Sequence, residues 1–335
     1  MARPRVYVTR LIPEAGLKIV RDFAETVVWE GNVPPPKETI MQQVAEADGI
    51  LPLLTDRIDA EVINAGRKLR VISNYAVGYD NIDVPAATAR SILVCNTPGV
   101  LTETTADLAW ALLMAGARHI AHGHAYVQAR EWKSWQPQLF LGYDVYGATI
   151  GIVGAGRIGQ AVARRAKGFS MRILYHDAER KPGLEKELGA EYADLQTLLR
   201  ESDFVTLHVP LTPETKNMIN AERLALMKQT AVLVNTARGL AIDEAALYDA
   251  LKNGRIAAAA LDVTAVEPIP PDSPLLGLDN CTIVPHIGSA SFATRNKMAV
   301  MAAENLVAAL KGERPAHIVN PEVLGTSAWK SRPPL

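Results

Sequence analysis

Cysteine is scarce in this chain: 335 residues hold two, Cys95 and Cys281. That excludes a disulfide framework and fits a reducing compartment. Cys95 stands in the apolar run Ile92-Leu-Val-Cys95 and reads as a small buried hydrophobe. An excess of charge of one sign is missing too. With a net charge of −1, and no concentrated basic stripe, the chain has no field to recruit nucleic acid or anionic lipid. No apolar run is long enough to span a bilayer. The longest, Ala106 to Ala117, contains Asp107 and has the length of a core helix. No signal peptide opens the sequence, since Ala2-Arg-Pro-Arg leads straight into the strand Val6-Tyr-Val-Thr9. These absences predict a cytoplasmic protein with no nucleic-acid or membrane partner. The composition, 48% hydrophobic and 21% charged, is that of an ordinary globular protein, and the length suits two domains.

What the chain does carry is the run Gly151-Ile-Val-Gly154-Ala-Gly156-Arg-Ile-Gly159-Gln160. Before it, Ala148 to Val153 is apolar and rich in β-branched residues, which predicts a buried strand. After it, Gln160 to Phe169 predicts a helix, and Met171 to Tyr175 a second strand ending at His176 and Asp177. Each glycine has a steric role: Gly154 for the tight turn, Gly156 for the approach of a pyrophosphate, Gly159 for packing of helix on strand. The helix N-terminus offers N–H groups and a positive dipole end to phosphates. Asp177 follows at the distance, roughly 20 residues, where an acid receives the adenosine ribose. A carboxylate there repels a 2′-phosphate, so NAD(H) is the preferred cofactor. Arg180 and Lys181 keep NADP(H) possible, although both read more simply as solvated charges at the start of the next helix.

Around this turn the chain falls into two blocks of alternating strands and helices. In the first, strands near Arg5–Thr9, Thr26–Trp29, Gly49–Leu54, Val71–Asn74 and Ile92–Asn96 alternate with helices near Pro13–Asp22, Lys37–Ala47, Ala60–Ala65 and Val84–Arg90. Thr104–Ile120 then reads as one long apolar helix. The second block adds strands at Phe204–His208, Ala231–Asn235, Ala257–Asp262 and Cys281–Val284, with helices at Leu195–Glu201, Ala221–Met227 and Asp243–Asn253. Such alternation predicts an α/β protein with two doubly wound parallel sheets. The last helix, Ser291–Lys311, is long enough to return to the first block. The expected domains are therefore 1–100 with 290–335, discontinuous around 101–289. The tail from Gly325 to Leu335 reads as poorly ordered or draped on a surface.

Three polar residues lie just past successive strand ends, where open α/β sheets place ligands. Arg238 closes Val234-Asn-Thr-Ala-Arg238, Glu267 follows the strand ending at Asp262, and His286 closes Val284-Pro-His286. Histidine can move a proton near neutral pH, a neighbouring carboxylate favours the imidazolium, and arginine offers a planar fork to a carboxylate. Together they make a site hypothesis.

The chain resembles the D-isomer-specific 2-hydroxyacid dehydrogenase family, most closely its glyoxylate/hydroxypyruvate reductase branch. The matching stretches are Asn74-Tyr-Ala-Val-Gly-Tyr-Asp-Asn-Ile-Asp83, Asn96-Thr-Pro-Gly99, Thr104-Thr-Ala-Asp-Leu108, Gly142 to Gly147, the glycine turn, His208-Val-Pro-Leu211, Asn235-Thr-Ala-Arg-Gly239, Leu261-Asp-Val263 with Glu267-Pro268, and Pro285-His-Ile-Gly-Ser289. They span essentially the whole chain. The resemblance implies a Rossmann NAD-binding domain inserted in a flavodoxin-like substrate domain, and reduction of a small 2-oxo acid to a 2-hydroxy acid. It implies His286 as general acid, Glu267 holding it protonated, and Arg238 binding and polarising the substrate. The N–H groups of Val77 and Gly78 would take the substrate carboxylate, and Leu53 would wall its side chain. Thr105, Arg157, Ile158, Asp177, Pro210, Thr215, Thr236, Asp262 and Gly288 would line the cofactor with the three glycines. Asp262 also reads as a cap or loop organiser, and Thr105 as a hydroxyl satisfying its own helix.

Departures narrow the reading. Relatives that prefer NADPH tend to carry a small polar residue and arginines where Asp177 stands. A phosphite-oxidising relative has a lysine where this chain has Val77. Formate dehydrogenases have a glutamine in place of Glu267. Trp135 matches a segment that reaches a neighbouring subunit's site, or else it is an interface or core aromatic. Either way a homodimer is expected. His119, His122 and His124 lack a carboxylate or cysteine at metal-ligand spacing, so no metal site is expected. A dinucleotide-sensing corepressor of the same family is the alternative from another functional class. The absence of a long disordered tail or basic patch argues against it.

Overall fold

The computed structural model describes residues 3–335, which form two compact units. One runs to Leu101 and resumes over Ala290–Leu335; the other is Thr102–Ser289. Both are built on parallel strands, buried along the inner strands as sheets covered on both faces must be and only partly buried at most of the sheet edges.

In the first unit, β1 (Arg5–Val8), β2 (Glu25–Val28), β3 (Gly49–Leu51), β4 (Val71–Ser73) and β5 (Leu93–Cys95) lie in the order 2-1-3-4-5. Helices α1 (Glu14–Phe23), α2 (Lys37–Glu46), α3 (Ala60–Ala65) and α4 (Val84–Ala89) connect them. Asp59 and Asp83 cap the short α3 and α4 with side-chain acceptors, each contributing about 1 kcal/mol. The helix Phe292–Leu310 completes the unit. Its buried Met298, Ala299, Ala302 and Leu306 share a core with Val6, Leu17, Val71 and Leu93, and the carbonyl of Ala302 accepts from Ser73 Oγ at 2.7 Å. Small residues set this packing: a Cβ on Gly16 would stand 2.3 Å from the Ala299 oxygen.

The second unit carries β6 (Thr149–Val153), β7 (Arg172–His176), β8 (Glu191–Tyr192), β9 (Phe204–Leu207), β10 (Val232–Asn235), β11 (Ala258–Leu261) and β12 (Cys281–Ile283). Their spatial order is 12-11-10-9-6-7-8, all neighbours parallel. The chain reverses its winding between β6 and β9, so the loops after those strands form the switch point where such sheets bind ligands. Helix α5 (Thr102–Ala117) lies on this sheet, close enough that a Cβ on Gly116 would meet Val232 Cγ1 at 2.9 Å.

Sequence periodicity runs α5 on to Ile120, but the helix stops at Ala117. The returning chain docks on its last turn, where Tyr143 N–H donates to the Ala117 carbonyl at 2.9 Å. His119 turns the chain with φ 51°. A separate helix, α6 (Ile120–Gln128), follows and buries none of its residues. His122 and His124 sit within this helix. The tail is draped: Arg332 donates to the Ser91 carbonyl at 3.0 Å and Leu335 N–H to the Leu310 carbonyl at 3.1 Å. Among the described residues no helix is long and apolar enough to cross a membrane.

Candidate active site

The glycine turn joins β6 to α7 (Arg157–Ala166). Gly154 holds φ 95°, a conformation costly to any side chain, and its Cβ would also strike the His208 backbone at 2.7 Å. Gly159 lies so close to the turn that a Cβ would stand 2.0 Å from the Gly154 oxygen, whereas nothing lies within 4 Å of where a Gly156 Cβ would be. Gly156 is also the N-cap of α7 and has no side chain to cap it, so the first-turn amides of Arg157 and Ile158 are left for a phosphate.

Asp177 follows β7. Its Oδ2 accepts from Ala155 N–H at 2.7 Å, which ties the acid to the turn. Oδ1 has weaker neighbours: Glu179 N–H at 3.3 Å and Lys181 Nζ at 3.6 Å. Acceptor capacity thus remains for ribose hydroxyls. Arg180 is engaged elsewhere, forked onto Glu185 at 3.1 and 2.8 Å and lying over the Tyr192 ring. An open approach at Gly156, uncapped amides and a partly satisfied acid fit a dinucleotide, and they leave no arginine committed to a 2′-phosphate.

Farther along the same sheet edge, the loops after β9, β10, β11 and β12 carry the remaining positions. Thr215 Oγ1 donates to the Pro210 carbonyl at 2.6 Å and fixes that turn. His208 bridges two hydroxyls, with Nε2 2.9 Å from Thr206 Oγ1 and Nδ1 3.5 Å from Thr236 Oγ1. Burial pushes its imidazole down to about 3, so it is a neutral spacer rather than a proton carrier.

The three polar residues follow adjacent strands, and two of them meet. His286 Nδ1 meets Glu267 Oε2 at 2.7 Å, which leaves Nε2 for a substrate oxygen. The other carboxylate oxygen, Oε1, accepts from Thr264 N–H at 3.2 Å and so aims the acid. Arg238 sits on a loop folded by buried Asn235, which accepts from Ala237 N–H at 3.0 Å and donates to the Arg238 carbonyl at 2.8 Å.

Asp262, nearly fully buried, accepts from Ile287 N–H at 2.6 Å and Gly288 N–H at 2.8 Å. Burial raises its pKa, while the two amides and nearby His286 oppose that shift. It organises the loop that presents His286. Thr105 serves the same loop: its hydroxyl donates to the Gly288 carbonyl at 3.0 Å, not to its own helix. His286 itself has φ 52°, a left-handed backbone costing roughly 1–2 kcal/mol. Its N–H, bonded to the carbonyls of Asp262 and Val284 at 2.9 and 3.0 Å, holds that geometry.

In the first unit, Leu53, Val77 and Gly78 are fixed by residues to which sequence reasoning gave no role. Asn96 Nδ2 donates to the Val77 carbonyl at 2.8 Å and Asn74 Nδ2 to the Gly78 carbonyl at 2.9 Å. Asn81 Nδ2 donates to the Leu53 carbonyl at 3.1 Å, and Leu53 N–H to buried Asp56 at 2.8 Å. Their signal was short amide or acid side chains at strand ends, which bond backbone locally. Trp135, 78% exposed, is not a core aromatic. With Tyr126, Val127, Trp132, Leu139 and Phe140 it lines an apolar groove of about 270 Å³.

The chain is similar to known proteins along nearly its whole length. A glyoxylate reductase of Korarchaeum cryptofilum is 58% identical over 333 residues, 99% of each chain. A solved structure of a Thermus thermophilus protein superposes with a TM-score of 0.89 at 48% identity, covering 94% of this chain and 99% of that one. An NADPH-dependent glyoxylate/hydroxypyruvate reductase of Sinorhizobium meliloti, solved with NADP and malonate, gives 0.83 at 33% identity, over 95% and 97%. The family model for the D-isomer specific 2-hydroxyacid dehydrogenase NAD-binding domain matches residues 110–288, and this chain belongs to that family.

Proposed function

We propose that this protein reduces glyoxylate to glycolate, and hydroxypyruvate to D-glycerate, with NADH preferred. The carrying observation is the His286–Glu267 pair at 2.7 Å, presented on the sheet edge that also bears Arg238 and the glycine turn. When bound, the nicotinamide cofactor supplies a hydride to the carbonyl carbon. Arg238 holds and polarises the substrate oxygens, and its fixed positive charge stabilises the negative charge that develops on the carbonyl oxygen. His286 donates its Nε2 proton to that oxygen, completing the alcohol. Glu267 compensates the imidazolium before transfer and keeps the ring oriented after it. Asp262 and Thr105 hold the His286 loop, and Leu53, Val77 and Gly78 are proposed substrate contacts. The Gly154, Gly156 and Gly159 turn, Arg157, Ile158, Asp177, Pro210, Thr215, Thr236 and Gly288 are proposed to line the cofactor.

Asp177 supports the NADH preference, because a 2′-phosphate beside its carboxylate would be repelled. The exposed groove around Trp135 supports a homodimer in which that surface is covered. Two free cysteines support a reducing, cytoplasmic setting. Initial rates with NADH and NADPH on glyoxylate, hydroxypyruvate, pyruvate and phenylpyruvate test the reading. Fast, NADH-preferring turnover of the two smaller acids is expected. Tight NADH binding with negligible turnover of all four would overturn it.

A further inference from the structure

Several cations of this chain are paired with carboxylates. Arg165 meets Glu103 and Asp107, Arg172 meets Glu191 and Glu201, and Lys228 meets Asp203. A different arrangement occurs where the C-terminal tail lies on the first unit. Arg70, Lys330 and Arg332 line a cavity of about 380 Å³ with Trp329, Leu324 and Pro334. The two guanidinium groups bond only backbone oxygens: Arg70 the Pro333 carbonyl at 2.6 Å, Arg332 the carbonyls of Ser91 and Arg90 at 3.0 and 3.4 Å. Arg90 stands behind them and bonds the carbonyls of Ile63 and Gly66. Among the described residues no carboxylate pairs with any of these four cations. Arg332 shows the consequence, its pKa lowered by burial and by the charges of Arg70 and Arg90.

We propose that this cavity binds a small phosphate-bearing anion, either inorganic phosphate or a phosphomonoester, on Arg70, Lys330 and Arg332. Two planar forks and one ammonium supply directed donors and enough positive charge for a dianion, and a guanidinium matches phosphate oxygens bidentately. Trp329 and Leu324 give an apolar wall suited to the carbon part of an ester. Binding relieves the mutual repulsion of the cations and further pins the tail, which already packs Trp329 and Leu335 on the core of the first unit. This site is separate from the glycine turn and owes nothing to the catalytic reading.

Calorimetric titration of the full chain with inorganic phosphate, and then with glycerol 3-phosphate, tests the proposal. NADH is kept saturating so that the dinucleotide phosphate site is filled. Binding in the millimolar range or tighter is expected for at least one anion. A tighter ester identifies an ester as the ligand; equal affinities identify phosphate itself. Lys330→Gln, an exposed change with no fold contact to lose, should weaken binding roughly tenfold and leave the Tm without phosphate unchanged. Arg70→Gln should weaken it at least as much. No heat with either anion, or the same affinity in both variants, would overturn the assignment.

Discussion

Replacing His286 with asparagine is expected to lower kcat for 2-oxo acid reduction by roughly 10²–10⁴-fold, the range of a lost general acid, while NADH binding stays nearly unchanged. Asparagine is the informative choice because position 286 has φ 52°. It tolerates the left-handed region better than alanine does, so the loop should survive. Its amide can bond Glu267 but has no proton to give at the Nε2 position. His286→Ala should lose as much activity and also some stability, since alanine pays the backbone strain without a side-chain bond. Single-turnover absorbance at the NADH band and a fluorescence titration of NADH separate the two effects. Activity near wild type in the asparagine variant would remove His286 from the chemistry.

Gly239→Ala should be nearly as damaging, although residue 239 has no reactive group. A Cβ there would stand 1.9 Å from the Thr264 carbonyl carbon and 2.0 Å from its oxygen. Neither neighbour is a flexible side-chain end, so backbone must move. On one side of the contact is Arg238, and on the other is the segment that aims Glu267 through Thr264 N–H. That segment is itself tied to the helix that follows Gly239, Glu244–Lys252, because Ala265 N–H donates to Glu244 Oε1 at 2.5 Å. One methyl group therefore displaces the arginine and the acid together, by a margin that costs catalysis heavily even at small shifts. A fall in kcat/KM of about 100-fold or more is expected, with the far-ultraviolet dichroism of the wild type retained. A fully active Gly239→Ala variant would show that the two loops move independently.

The strands and their parallel pairing were legible because apolar, β-branched runs alternate with amphipathic helices. The glycine turn was legible because strand, turn, helix and acid occur in sequence. His286, Glu267 and Arg238 stood out as reactive side chains after successive strands. The contacts that hold the His286 loop were hidden, because they join residues far apart in sequence: Thr105 reaches Gly288, and Asp262 reaches Ile287. Gly239 carried no signal of its own in the sequence; the passage of Thr264 beside it leaves no room for a side chain. The early end of α5 was equally invisible, since Arg118, His119 and Ile120 do not break helical periodicity. The stop comes from Gly142 and Tyr143, packed on the last turn of the helix.

In the proposed reaction the cofactor's hydride and the His286 proton reach opposite ends of a small 2-oxo acid's carbonyl with a fixed facial sense. Chiral analysis of the product of hydroxypyruvate reduction by NADH tests it most directly. One D-glycerate per NADH oxidised is the result the proposed function predicts. L-glycerate, a racemic product, or NADH bound without oxidation would contradict it.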